Sequence, residues 1–214
     1  MASRIALVTG FEPFGAHRMN PSLEVAKRLD GVEVGAHRVA GRVLPVAIES
    51  LRPRLETLVA EIDPAVVVSL GLAAGEPVIR LERVGLNLAD FEIADNEGAI
   101  ARDHPVEPGG PAARGATLPL RAISEALLGA GIPVRLSTTA GTYLCNAALY
   151  TLLGTSAAER GVPCGFVHLP YLPEQAAALL GTGAAGERGP WPSMSLATMV
   201  EAVRIVVAVS LGRL

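Results

Sequence analysis

The stretch Leu7–Ser22, LVTGFEPFGAHRMNPS, governs how the rest of the chain is read. The apolar segment Arg4–Thr9 (RIALVT) runs into Gly10 and Gly15, and a helical pattern begins at Ser22 and continues to Leu29. Strand, glycine turn and helix in that order open an α/β fold built on a parallel sheet. The same outline would suit a phosphate-binding loop, but Ala16 and His17 stand where such a loop needs Lys and then Ser or Thr, and no full dinucleotide fingerprint follows. What the turn carries instead is a pair of rings, Phe11 and Phe14, in a chain only 4% aromatic.

The same rhythm recurs downstream. Ala65–Leu70 (AVVVSL), Pro133–Ser137 (PVRLS) and Gly165–Leu169 (GFVHL) read as strands buried on both faces, because their apolar residues are continuous rather than alternating. The β-branched segment Val34–Val46 has room for one more. Helical periodicity marks Ile48–Ile62, Leu118–Leu128, Cys145–Arg160 and Ser195–Leu211, with Asp63–Pro64 and Gly131–Pro133 as stops before the next strand. The expected fold is α/β: a single-domain, three-layer arrangement with a mostly parallel open sheet and helices on both faces. At 214 residues the chain is long enough for one well-buried domain over 1–214, and length alone does not force two. The polar stretch Gly85–Gly115 and the segment Gly181–Pro192 (GTGAAGERGPWP) break the rhythm and read as long loops, of the kind that usually serve a function or lack order.

Composition narrows the function classes. Half the residues (50%) are hydrophobic, 18% are charged and the formal net charge is -3, with no dense Lys/Arg run to suit nucleic acid or an anionic membrane. The apolar run at the N-terminus is too short for a signal peptide, and Val203–Leu211, interrupted by Arg204, falls well below the roughly 20 residues of a membrane span. With Cys145 and Cys164 as the only cysteines there is no disulfide framework and no metal-binding cysteine cluster. A cytoplasmic protein with neither cofactor nor metal is expected.

Chemistry-bearing residues gather just after three expected strands, in GFEPFG, in STTAGTYLCN and in HLPYLPEQ, and in a parallel sheet those carboxyl ends share one edge. Cys145 opens a helical run, where the positive end of the helix dipole favours a thiolate and free N–H groups could hold an oxyanion. The competing reading is a buried structural cysteine, which suits Cys164 better. A cysteine nucleophile needs a base. His168, at the end of a near-continuous apolar strand, is placed for it; His17 could line the site, while His37 and His104 read as solvated. A carboxylate would then fix the imidazole tautomer. Glu82, in IRLERVGLNL, is the leading candidate, and spacing alone does not separate it from Glu76, Asp90, Glu92 or Asp95.

At this point the segments resemble one family. TGFEPFG followed by NPS, ERVGLNL with DNEG, STTAGTYLCN, and FVHLPYLPEQ are together similar to pyroglutamyl peptidase I, in the same order from Leu7 to the C-terminal helix. The resemblance implies a cytoplasmic cysteine peptidase that removes an N-terminal pyroglutamyl residue from peptides, assembled as a homodimer or homotetramer. It also implies a triad of Cys145, His168 and Glu82. Pyroglutamate is a small flat lactam, so its ring needs an apolar slot and its amide needs hydrogen bonds. The resemblance assigns that slot to Phe11, Phe14 and Tyr143, with Asn20 and Leu72 beside it.

Two departures from the family pattern stand out. Leu72, in GLAAGEP, occupies a position where a polar amide is common. Glu92, in FEIADNEG, replaces an arginine that usually lies near the reacting carbonyl; pointed inward, its charge would oppose a developing oxyanion. Two rivals follow: a lactam-binding protein with impaired catalysis, and a related cysteine amidase with altered acyl specificity.

Overall fold

Apolar runs and periodic stretches alternate along the chain and fold in that alternation. The computed structural model describes residues 4–15, 17–181 and 191–212. Its elements are β1 (Ile5–Phe11), α1 (Pro21–Leu29), β2 (Glu33–Val34), β3 (His37–Leu44), α2 (Ile48–Ile62), β4 (Val66–Leu72), β5 (Ile79–Glu82), β6 (Val84–Leu86), β7 (Ala113–Gly115), α3 (Leu120–Gly129), β8 (Val134–Ser137), α4 (Leu144–Leu152), α5 (Ser156–Glu159), β9 (Cys164–Leu169), α6 (Pro173–Gly181) and α7 (Leu196–Ser210). The main sheet has the order β2-β3-β1-β4-β9-β5-β8, and β6 and β7 form a separate ribbon.

Strands β3, β1, β4 and β9 are mutually parallel, and the central β1, β4 and β9 bury nearly all their Val, Ile and Leu side chains on both faces, as a sheet covered twice by helices requires, while Val43 on the outer β3 is exposed. One face packs under α1, α3 and α7 through residues such as Val25, Leu29, Ile123, Leu127 and Val203. The other packs under α2, α4 and α5 through Leu51, Leu55, Leu144, Ala148 and Ala157. The opening turn is now explained locally. A side chain on Gly10 would overlap the backbone carbonyl of Ser22, so this glycine lets α1 lie directly on β1. Asn20 caps α1, accepting from Ser22 N at 3.1 Å and from Ser22 Oγ at 2.8 Å, with Pro21 as its first residue.

The sheet is mostly parallel, as expected, but the structure corrects three finer expectations. First, the strand holding Pro133–Ser137 does not run with β1 and β9: the unanticipated β5 is antiparallel to β9, and β8 runs with β5. The carboxyl end of β8 therefore does not share the edge of β1 and β9; Ser137 lies level with Glu82, which faces Phe166, and the turn that follows leads back toward the site. Second, the expected Cys145–Arg160 helix breaks after Leu152, where Gly154 and Thr155 turn back on α4 through Gly154 N to Thr151 O at 2.9 Å and Thr155 Oγ1 to Leu152 O at 2.7 Å. Third, the Gly85–Gly115 stretch is not featureless. It contains β6, β7 and a bridge between Ala89 and His104. Asn146 pins its start, donating to the carbonyls of Leu86 at 2.9 Å and Leu88 at 2.8 Å. Tyr150 and Arg114 pin its end, the hydroxyl donating to Pro111 O at 2.7 Å and the guanidinium lying 4.1 Å from the ring centre. Of the expected Gly181–Pro192 loop, residues 182–190 lie outside the described residues.

Candidate active site

The site grows out of strand alternation. Thr9 faces Ser69 across β1 and β4, Gly71 faces His168 across β4 and β9, and His168 faces Arg80 across β9 and β5. Along β9, Phe166 and His168 point to the α4 side, while Val167 and Leu169 enter the opposite core. Along β5, Ile79 and Leu81 enter that opposite core, leaving Arg80 and Glu82 on the α4 side. Because β5 is antiparallel, Glu82 stands opposite Phe166 and diagonal to His168. The two meet: Glu82 Oε1 lies 2.8 Å from His168 Nδ1, both side chains buried.

Cys145 is in the first turn of α4, whose N-cap, Tyr143, offers no side-chain hydrogen bond to the helix start. Its neighbour Asn146, clamped to Leu86 and Leu88, ties that turn to the chain leaving Glu82 and β6. The sulfur rests over Gly71, the strand position beside His168. A Cβ on Gly71 would sit 2.8 Å from Cys145 Sγ and 2.8 Å from Phe166 Cζ. Glycine here makes the space the thiol occupies.

Cys145 and His168 open onto one cavity of about 150 Å³. Phe11, Phe14 and Tyr143 supply its aromatic wall, and Asn20, Val46 and Leu72 supply other parts of the lining. Phe14 and Tyr143 lie with ring centres 6.2 Å apart, and Phe91 braces Tyr143 from behind in an edge-to-face contact at 4.7 Å. An apolar cavity of this order accommodates a single small ring.

The electrostatics depart from the expected thiolate. Cys145 retains partial exposure, yet burial pushes its thiol up to about 12. The Glu82 charge adds to the rise, while Arg80 and the helix-start N–H oppose it. The sulfur therefore stands protonated near neutrality, with the helix start outweighed by desolvation. Tyr143 is also pushed up to about 12, by burial first and then by Asp95. Cys164 is fully buried at the start of β9, and burial pushes its thiol up to about 12 as well.

The structure therefore brings Cys145, His168, Glu82, Phe11, Phe14, Tyr143, Asn20 and Leu72 together. It separates out Glu92, which is exposed and does not line the cavity; its neighbour Phe91 takes the inward position. Among the other acids weighed for the third position, Asp95 is committed to the backbone of its own loop and of α2, accepting from Ala99 N at 2.8 Å and Ile48 N at 2.9 Å. Glu76 pairs with Arg80 and Arg135, and Asp90 with Arg102. His17 packs beside the cavity, 5.6 Å from the Phe14 ring, and His104 is exposed. His37 is half-buried on β3 rather than solvated. Sequence reasoning missed Gly71, Arg80, Phe91 and Asn146. None of the four carries a signal strong enough to single it out: Gly71 falls just past the expected Ala65–Leu70 strand, and Arg80 lies in the ambiguous IRLE segment.

Among the described residues no group of His, Cys, Asp and Glu is arranged to hold a metal ion, and no helix is long and apolar enough to cross a membrane. The pyroglutamyl peptidase family profile matches residues 4–212. The pyrrolidone-carboxylate peptidase of Pyrococcus furiosus is 42% identical over 210 residues, covering 97% of this chain and 98% of that one. The pyrrolidone-carboxylate peptidase of Thermococcus onnurineus is 43% identical over 206 residues, covering 96% and 98%. A crystal structure of the pyrrolidone carboxyl peptidase from P. furiosus superimposes with a TM-score of 0.91 at 41% identity, over 97% of this chain and 98% of that one.

Proposed function

The chain belongs to the pyroglutamyl peptidase family, and we propose that it hydrolyses the amide bond after an N-terminal pyroglutamyl residue with Cys145 as nucleophile, His168 as its base and Glu82 as the group that orients the imidazole. The observation that carries this assignment is the 2.8 Å contact between His168 Nδ1 and Glu82 Oε1, on a cavity that also holds Cys145. With Nδ1–H donated to the carboxylate, Nε2 is left as the proton acceptor.

A thiol held near 12 is a poor resting nucleophile, so the proton moves as the bond forms. His168 Nε2 takes the Cys145 proton while the sulfur attacks the pyroglutamyl carbonyl carbon. The oxyanion is received by the uncapped N–H groups at the start of α4. The C–N bond breaks, the departing amine takes the proton from Nε2, and a thioester remains on Cys145. Water, deprotonated by His168, then cleaves the thioester and restores the thiol. The lactam ring is taken by Phe11, Phe14 and Tyr143, with buried Asn20 in the lining and Leu72 as an apolar wall where the family commonly has an amide.

Family resemblance further supports a single catalytic domain over 1–214, a cytoplasmic location and assembly as a homodimer or homotetramer. The lactam-binding alternative rested on an inward Glu92; with that side chain exposed, no observation favours it. The test is release of a chromogenic amine from a pyroglutamyl amide. Cys145→Ala is expected to lower turnover by roughly 10⁴-fold or more with the fold intact, and unchanged turnover would overturn the assignment.

A further inference from the structure

The charges continue behind the imidazole and carboxylate. Arg80, opposite His168 on β5, brings Nε to 3.0 Å from Glu82 Oε1, the same oxygen that meets His168. That N–H is too poorly aligned to count as a hydrogen bond, and Glu82 Oε2 has no partner among the described residues. The outer edge of the guanidinium is bonded through Nη2 to Ser137 Oγ at 2.8 Å and to the Thr139 carbonyl at 2.6 Å. Glu76 closes the row, with Oε1 3.4 Å from Arg80 Nη1 and 2.6 Å from Arg135 Nη2.

We propose that Arg80 is a positioning residue of the active site: a fixed cation that holds the Glu82 carboxylate against His168 and ties this pair to the turn leading into Cys145. The proposal rests on the roles given to Cys145, His168 and Glu82 above. A carboxylate that is 0% exposed and holds a single hydrogen bond lacks the partners that burial of a charge requires. A guanidinium in ion contact supplies that compensation, holds the carboxylate against Nδ1 and, being always charged, does so at every working pH. Its planar fork also grips Thr139, which precedes the cavity residue Ala140 in the turn to Tyr143 and Cys145. The charged and titratable groups facing the pair are Arg80 from β5 and Cys145 from α4, with Glu76 after β4 and Arg135 on β8 one step further out.

The test measures two quantities on the full chain: the titration midpoint of the His168 ring by NMR, and kcat/KM for a pyroglutamyl amide against pH. Removing a nearby cation must make proton uptake by the Glu82–His168 pair easier, whichever partner takes the proton. Arg80→Gln is expected to move the midpoint and the acid limb upward by about one pH unit, and to lower kcat about tenfold with KM nearly unchanged. Arg80→Lys keeps the charge and should keep the midpoint while losing part of kcat. Glu76→Gln, a peripheral change that also covers the case of Arg80→Gln failing to fold, should shift both readouts the opposite way, to lower pH and by less. A residue that merely braces the turn would move neither. An unmoved midpoint in Arg80→Gln, or in Glu76→Gln where the first does not fold, overturns the role of Arg80. A parent protein that releases no amine would instead contradict the proposed function, and the NMR titration would still decide on Arg80.

Discussion

Under α1, α3 and α7, β9 presents Val167 and Leu169 and β5 presents Ile79 and Leu81, all buried hydrocarbon. On the other face the same strands present Phe166, His168, Arg80 and Glu82, beneath α4 and its cysteine. Each strand thus delivers packing to one face and chemistry to the other, because successive side chains point oppositely. The polar face is tolerable because its charges occur as neighbours: imidazole against carboxylate, carboxylate against guanidinium. Substitutions on the two faces should therefore fail differently.

Among substitutions outside the three reacting side chains, the largest effect is expected at Gly71. Its replacement by Ala would drive a methyl into Cys145 Sγ and Phe166, so activity should fall on the order of 10²-fold or more through misplacement of the sulfur. Pyroglutamyl-amide turnover measured beside thermal unfolding checks this, and near-normal turnover would show that the thiol has room the geometry denies it. Val167→Ala, on the other face of β9, should reverse the pattern. Two lost carbons at about 0.8 kcal/mol each, plus an unfilled cavity, give about 2 kcal/mol of destabilisation. Its kcat/KM in the folded enzyme should remain close to that of the parent. Asn20 bridges the two behaviours, since it both caps α1 and lines the cavity. Asn20→Ala should cost about 1 kcal/mol of stability and also raise KM, a combination that neither face alone would give.

The last prediction, silent at neutral pH, concerns the alkaline range. Cys145 and Cys164 both move upward from an ordinary value of 9.0 to about 12. The native state therefore holds these protons more tightly than the unfolded chain does. The associated stability is fully present below about pH 9 and is lost as pH climbs toward 12. Chemical denaturation across that window should show an alkaline decline that Cys145→Ala partly flattens. In the same range, alkylation of Cys145 by iodoacetamide should accelerate rather than level off near neutrality.

How far the sequence reveals this molecule can be judged element by element. The strands β1, β4 and β9 are legible because doubly covered strands must be continuous in Val, Ile and Leu, and α1 and α2 because their apolar residues recur at helical spacing. Strand β5 is short, and in IRLE its alternation of two apolar and two charged residues resembles a loop as much as a strand. Its reversed direction leaves no local trace, since strand order and polarity are decided by packing among distant segments. That reversal is what sets Glu82 diagonal to His168, so the third member of the site could be singled out only through family resemblance. Gly71 lies one residue beyond the Ala65–Leu70 run, and its importance appears only once α4 is laid over it. The Cys145 helix start was legible, but the burial that overrides its effect on the thiol was not, because desolvation depends on every neighbour.

The central claim is tested most directly by amine release from a pyroglutamyl amide before and after exhaustive iodoacetamide treatment, with the alkylated residue located by peptide mapping. Activity is expected to disappear in proportion to modification of Cys145 while buried Cys164 stays unmodified. Full turnover by protein whose Cys145 is completely alkylated would contradict the account.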